Sequence, residues 1–183
     1  MVEVNAYKLE HDFGFAPNPF FGICTLACCK PDVRKRAQPG MYVVGMGSAA
    51  LGCLGHVIYW MRVEEIMDFD AYYRAAWAQK RKPDMTGIKM LRVGDNIYHR
   101  PEGSSDFVQD YSFHSLGPGE PSYENLHTDT GKTEKVLVSA DFAYFGERAP
   151  KLPPELAIFG NLPRNFKRDF PSESKTSLVH WLR

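Results

Sequence analysis

Residues 40–63 read GMYVVGMGSAALGCLGHVIYWMRV, and this stretch decides the fold class. Met41–Met46 (MYVVGM) and His56–Val63 (HVIYWMRV) are short runs rich in β-branched and aromatic residues, as buried strands are. The small residues of Gly47–Gly55 suit a glycine-rich turn, so the two runs read as a hairpin. Outward from it, Val2–Leu9 alternates weakly and reads as a first strand. Lys135–Ser139 (KVLVS) and Phe142–Phe145 (FAYF) are two more, and Gly94–His99 (GDNIYH) is a turn feeding a short strand. A short helix starts at Pro31, whose missing N–H would be unpaired in a first turn anyway, and Asp32 adds favourable charge there; Pro39-Gly40 stops it. After Asp68 as N-cap, Phe69, Tyr72, Tyr73, Ala76 and Trp77 share one helical face. A last helix near Ser174–Arg183 buries Leu178, Val179 and Leu182. Five or six short strands with two or three helices predict an α+β fold, a small, partly closed mixed sheet or barrel with flanking helices.

The 183 residues suit one domain, with a core over about residues 2–148 and a proline-bearing segment plus the last helix over 149–183. A chain of this length buries roughly 70% of its unfolded surface and needs no staples. Lysine and arginine number 22, as do aspartate and glutamate, and this balance argues against gripping duplex DNA mainly through phosphates. The clusters Lys30/Arg34/Lys35/Arg36, Lys80/Arg81/Lys82 and Arg164/Lys167/Arg168 read as solvated faces. No apolar run approaches the ~20 residues of a membrane span. Met1–Glu10 lacks the basic start and apolar stretch of a signal peptide. Of the cysteines Cys24, Cys28, Cys29 and Cys53, three crowd together, a poor disulfide layout; reduced thiols in a cytoplasmic setting are the simpler expectation.

The most site-like segment is His11–Pro31, HDFGFAPNPFFGICTLACCKP. Its prolines and glycines forbid regular structure in the first half, yet Phe13, Phe15, Phe20 and Phe21 must pack on something. They form either a core or a stacking wall, with Asn18 adjoining. In the second half, Thr25 and Lys30 flank a helix start, where N–H groups and the dipole favour an anion. Cys24 or Cys28 beside that start is a candidate reactive thiol, or a small buried hydrophobe. The C-x3-C-C spacing, with His114 and His127 distant, lacks the second close pair of a zinc site, so no metal is expected and no cofactor is implied. Thr128–Thr133 (TDTGKT) imitates the end of a phosphate loop, but its first glycine would fall at Leu126; Lys132 can still meet a phosphate on its own. His99, His114 and His127 sit near Asp95, Asp110 and Asp129, a pairing that supports proton transfer or serves as polar loop. Asp95-Asn96 makes a turn, and Asn96 has the amide that reads a base edge. Pro101–Asn125 is a long polar excursion of the kind that is often functional.

Three strings taken together, His11–Pro31, residues 40–47 with 56–63, and Lys132–Gly146 (KTEKVLVSADFAYFG), with the Gly94–Tyr98 turn, resemble the second of the nucleotide modification associated domain families. The likeness runs from about Tyr7 to Gly146. It implies a role around modified nucleotides or DNA base modification in bacterial or phage systems, and supplies no established reaction. The strand pair after Gly40 is also similar to small β-barrels of the PUA, EVE and ASCH kind, which hold nucleobases; there Gly-Asp often precedes the strand, whereas here Met41 follows Gly40.

Three readings follow. The first is a nucleotide- or nucleobase-binding domain: a base stacked on Phe13, Phe15 and Phe20, its edge read by Asn18, Thr25, Asp95 or Asn96, a phosphate met by Lys30 or Lys132. The second is a cysteine-dependent enzyme on a nucleotide or base, with Cys24 or Cys28 as nucleophile and His114 as proton carrier. The third is a partner-binding scaffold without a small ligand.

Overall fold

The computed structural model describes residues 2–163 and 165–183. In chain order the elements begin with β1 (Val4–Lys8), β2 (Cys24–Leu26), α1 (Pro31–Arg36), β3 (Tyr42–Met46), β4 (Val57–Arg62) and β5 (Glu65–Met67). Next come α2 (Phe69–Arg74), a 3-10 helix (Ala76–Arg81), α3 (Lys89–Arg92), β6 (Tyr98–His99), β7 (Val108–Gln109) and α4 (Tyr123–Thr130). The chain continues through β8 (Val136–Ser139), β9 (Phe142–Tyr144), a 3-10 helix (Pro154–Phe159), β10 (Phe166–Lys167) and α5 (Ser172–Leu182). No helix among the described residues is long and apolar enough to cross a membrane.

The elements group into two compact units. The first takes the residues through Asp12, Ala37–Glu64 and Ser139–Arg183. Its sheet has the order β10-β1-β3-β4-β9, with β1 and β3 parallel and the other pairs antiparallel. Val4, Ala6, Val44, Met46 and Trp60 pack with Leu156 and Phe159 of the second 3-10 helix and with Leu178 and Leu182 of α5. Gly45 pairs with Tyr59 across the strands. A Cβ at Gly45 would run into the Tyr59 ring and the Leu9 side chain, so the close crossing requires glycine. The Tyr59 hydroxyl meets that of Tyr7 at 2.8 Å.

The second unit takes Phe13–Arg36 and Glu65–Val138. It holds a three-stranded sheet, β2-β8-β5, and the two-stranded β6–β7 pair. Its core gathers Phe15, Ala27, Cys28, Phe69, Tyr72, Val93, Ile97, Tyr98, Val136 and Val138.

The mixed α+β class is as the patterning predicts, but the strands form separate sheets and no closed barrel exists among the described residues. The five-stranded sheet ends in a two-residue strand and a three-residue strand, which are not paired with each other. The single helical face drawn from Phe69 to Trp77 breaks at Ala75 (φ −58, ψ 128), and a 3-10 helix follows. Gln79 Nε2 donates to the Tyr73 and Ala75 carbonyls at 2.8 and 3.1 Å, satisfying acceptors beside the break. The excursion of 101–125 contains β7 and enters α4, where Ser122 Oγ accepts the Asn125 N–H. Two basic clusters are not solvated faces throughout: Arg34 and Arg81 are fully buried. Arginine tolerates this because its fixed fork of donors can be matched by backbone carbonyls. In the third cluster, Arg164 lies outside the described residues.

Gly45→Ala is expected to destabilise the protein by about 1–3 kcal/mol through overpacking against Tyr59, read as a lower urea midpoint; an unchanged midpoint would refute the crossing as the reason for glycine.

Candidate functional site

Two buried polar knots organise the second unit. In the first, the break at Ala75 and the 3-10 turn after it deliver Arg81 into the core. One Arg81 amino group (Nη1) donates to Asn18 Oδ1 and Thr25 Oγ1, each at 2.9 Å; the other (Nη2) donates to the Phe20 carbonyl at 2.5 Å and to the Ile23 carbonyl. Thr25 Oγ1 donates to Asp95 at 2.5 Å, and the Tyr72 hydroxyl donates to the same carboxylate at 2.7 Å. Asp95 lies 3.9 Å from Arg81. Burial pushes the Asp95 carboxyl up, against the pull of Arg81, Thr25 and Tyr72. Asn18 Nδ2 caps the Val93 carbonyl, and Asn96 Nδ2 donates to the carbonyls of Tyr72 and Ala78. Gly94 is needed beside them, because a Cβ there would strike the Arg81 carbonyl. Arg81 Nε and Asn96 Oδ1 are buried with no hydrogen-bond partner among the described residues.

The second knot holds Cys29. Strand β2 runs into α1 through a tight corner at which Cys29 (φ 59) and Lys30 (φ 41) occupy the left-handed region. For side-chain-bearing residues that conformation costs roughly 1–2 kcal/mol each. The corner is clamped from both sides. The Cys29 N–H donates to Asp129 Oδ1 at 2.7 Å, and the Cys29 carbonyl accepts from Arg34 Nε at 2.9 Å. The two amino groups of Arg34 donate to the carbonyls of Lys135 and Asp129, at 2.9 and 2.6 Å.

Asp129, on α4, also faces His114. Its Oδ2 lies 3.1 Å from His114 Nδ1 and accepts the Tyr98 hydroxyl at 2.9 Å. On the other side of the ring, His114 Nε2 lies 3.5 Å from Cys29 Sγ. Phe15 packs on the imidazole with ring centroids 4.6 Å apart. Burial opposes a charged imidazole, but the hydrogen bonds to Asp129 and Cys29 outweigh it, and the His114 pKa is pushed up to about 9. When protonated, the ring donates at both nitrogens, one to the Asp129 carboxylate and one to the Cys29 sulfur. A thiol, an imidazole and an orienting carboxylate in this order can serve as a nucleophile with its proton carrier.

The structure sorts the sequence candidates clearly. Asn18, Thr25, Asp95 and Asn96 are buried and bonded around Arg81. The Asn18–Thr25 bridge joins the proline loop to the thiol-bearing strand, with Asn18 N–H to Thr25 O and Thr25 N–H to Asn18 O at 2.9 Å. Cys24 and Cys28 are fully buried, and burial raises both thiols far above the usual cysteine range. Cys28 Sγ donates to the Asp95 carbonyl at 3.5 Å. Phe15 joins the core while Phe13 is 53% exposed; the Phe20 ring lies under Gly14. Lys30 forms the strained corner, and its helix, α1, has six residues. Lys132 pairs with Asp32 at 3.2 Å. Sequence reasoning passed over Cys29, Arg34 and Arg81 as site builders, and offered Asp129 only as one of the acids near the histidines. Only the Cys-Lys-Pro junction at a strand-to-helix corner hinted at Cys29, and neither arginine carried a signal separating it from surface charge. All four cysteines are free thiols. Cys28, His114 and Asp129 each bring a donor atom within 4.8 Å of the others, a set able to hold a divalent ion such as zinc.

Replacing Arg81 with Met should cost about 3–5 kcal/mol, because Asp95 is left buried without its cation, read by urea unfolding; a loss below about 1 kcal/mol would refute Arg81 as the keystone of its knot. The His114 value in the folded protein lies above the ordinary 6.5. Its stabilisation is therefore complete below about pH 6.5 and is lost as pH rises through about 9, a loss on the order of 3 kcal/mol. His114→Gln should flatten that part of the stability–pH curve, and a variant that keeps the slope would place its origin elsewhere.

The whole chain, residues 1–183, matches the family model described as nucleotide modification associated domain 2. No curated protein and no solved structure matches it. The resemblance carried by the His11–Pro31 string and the later strands thus extends over the full length, and the chain belongs to the nucleotide modification associated domain 2 family.

Proposed function

We propose that the protein performs a thiol-dependent step on a nucleotide or its base, with Cys29 as nucleophile, His114 as proton carrier and Asp129 as the group that orients both. Membership of a nucleotide modification associated family supports the choice of substrate class. The observation that carries the reading is the line Cys29 Sγ–His114 Nε2–His114 Nδ1–Asp129 Oδ2, with separations of 3.5 and 3.1 Å. An imidazolium beside sulfur favours the thiolate, the form that attacks carbon. In the step, a bond forms between Sγ and an electrophilic carbon. The displaced electron pair moves onto a ring atom or a leaving group, and His114 delivers its Nε2 proton there. Cys29 takes the part that the sequence suggested for Cys24 or Cys28, because its sulfur reaches His114 and it is only partly buried. Nucleotide binding, the first sequence reading, becomes the first half of this activity.

A second reading is favoured by the donor set Cys28, His114 and Asp129, which would hold a metal ion. It takes His114 away from Cys29 chemistry. Metal analysis of protein purified without chelator separates the two: about one equivalent of zinc, absent from Cys28→Ser, would replace the thiol reading.

Iodoacetamide followed by peptide mapping is expected to label Cys29 ahead of Cys24, Cys28 and Cys53. In His114→Gln the Cys29 labelling rate should fall at least tenfold at neutral pH. The thiol reading fails if the labelling profile is the same with and without His114.

A further inference from the structure

Among the described residues nine large hydrophobic side chains are exposed, and five of them fall in one stretch: Val108, Tyr111, Phe113, Leu116 and Tyr123. Single exposed apolar groups need no explanation, so the interest of Phe113 lies in how it is held and what it adjoins. This stretch is held firmly. Ser115 Oγ donates to the Asp110 carbonyl at 3.2 Å, and the Ser122 N–H donates to Gln109 Oε1 at 2.8 Å. Asn125 Nδ2 donates to the His114 carbonyl at 3.0 Å. The backbone is thus tied on both sides of Phe113, which fixes where its side chain starts.

That place adjoins the thiol site. Phe113 precedes His114, and consecutive Cα atoms are about 3.8 Å apart. The Phe113 ring, in a residue 44% exposed, is 6.5 Å from Phe15, which packs on the His114 imidazole. Arg92, at the end of α3, holds its guanidinium carbon 5.9 Å from the Phe113 ring centroid. Arg92 is exposed and has no ion-pair partner among the described residues.

We infer that Phe113 and Arg92 seat the nucleotide: the base stacks on the exposed Phe113 ring and its phosphate pairs with Arg92, beside Cys29 and His114. This names the ligand of the Cys29–His114 site and rests on the thiol reading for what happens after binding. An aromatic face and a guanidinium fork are the two complements of a nucleotide, one for its π surface and one for its phosphate oxygens. The chain's formal charge is zero, so phosphate attraction alone gives little and stacking must carry much of the affinity. A free nucleotide and a base within a single strand share this chemistry.

Calorimetric titration of the full chain with the four deoxynucleoside 5′-monophosphates, the matching deoxynucleosides and a short single-stranded oligonucleotide tests it. At least one monophosphate should bind saturably, and more tightly than its nucleoside. Phe113→Ala should weaken binding roughly 5- to 150-fold, as for the loss of one stacked base, and Phe113→Trp should retain it. Arg92→Gln should bring monophosphate and nucleoside affinities together. Thermal melting confirms that each variant is folded. Tighter binding of the oligonucleotide than of any monophosphate assigns the base to a strand, and equal binding assigns it to a free nucleotide; both support the seat. No saturable binding of any probe at millimolar concentration, or full affinity in Phe113→Ala, overturns it. The Cys29 labelling profile of the unaltered protein is read independently. An intact profile without nucleotide binding sinks this inference alone, and stacking-dependent binding without the profile sinks the thiol reading alone.

Discussion

The Asp129 carboxylate divides its two oxygens between a backbone and a side chain, and the chemistry of the second unit depends on that division. One oxygen takes the Cys29 N–H; the other faces His114 and takes the Tyr98 hydroxyl. A single buried acid therefore fixes where the sulfur stands and which way the imidazole points. The left-handed corner at Cys29 and Lys30 is unfavourable in isolation, and it persists because Asp129 and Arg34 grip the peptide groups on either side of the Cys29 α-carbon. Strain held in this way is a familiar companion of reactive groups, since it sets the side chain at an angle that a relaxed strand end would not offer.

The Arg81 knot is a separate device that stiffens the neighbouring backbone. Its guanidinium gathers carbonyls and side chains from Asn18 to Thr25, while Asp95 ties Thr25 to Tyr72. Asn18, Thr25 and Asp95, which carry donors and acceptors suited to a base edge, are thereby committed to one another and to Arg81. Buried polar networks of this kind specify one arrangement of loops that carry little regular structure. The proline-rich loop owes its place to this network as well as to its rings.

How much of this was legible in the sequence follows from what kind of signal each feature leaves. Apolar runs with branched and aromatic residues mark β3, β4, β8 and β9, so their strands were visible. The Pro31 start, the Asp68 cap and the last helix were visible for similarly local reasons, and Asp68 does accept the Ala71 N–H at 2.7 Å. Helix α4 was hidden because Tyr123–Thr130 (YENLHTDT) has almost no apolar stripe. It is held by the Ser122 cap and by Asp129 reaching inward. The segment around the candidate site was identified, but the sulfur that reaches His114 was not, since three nearby cysteines look alike until the corner angle separates one from two. Buried arginines were read as solvent-facing because composition counts charges without seeing the carbonyls that satisfy them.

The partners that grip Cys29 are remote along the chain: Asp129 is 100 positions away, and the Lys135 carbonyl that steadies Arg34 is 101 from it. Contacts of such long separation close large loops, and the entropy of closure comes before any reward. A nascent chain emerging from the ribosome thus carries Cys29 without its His114 and Asp129 partners until the residues up to position 129 have been synthesised. The order of synthesis alone keeps this thiol apart from both partners through the first two thirds of translation.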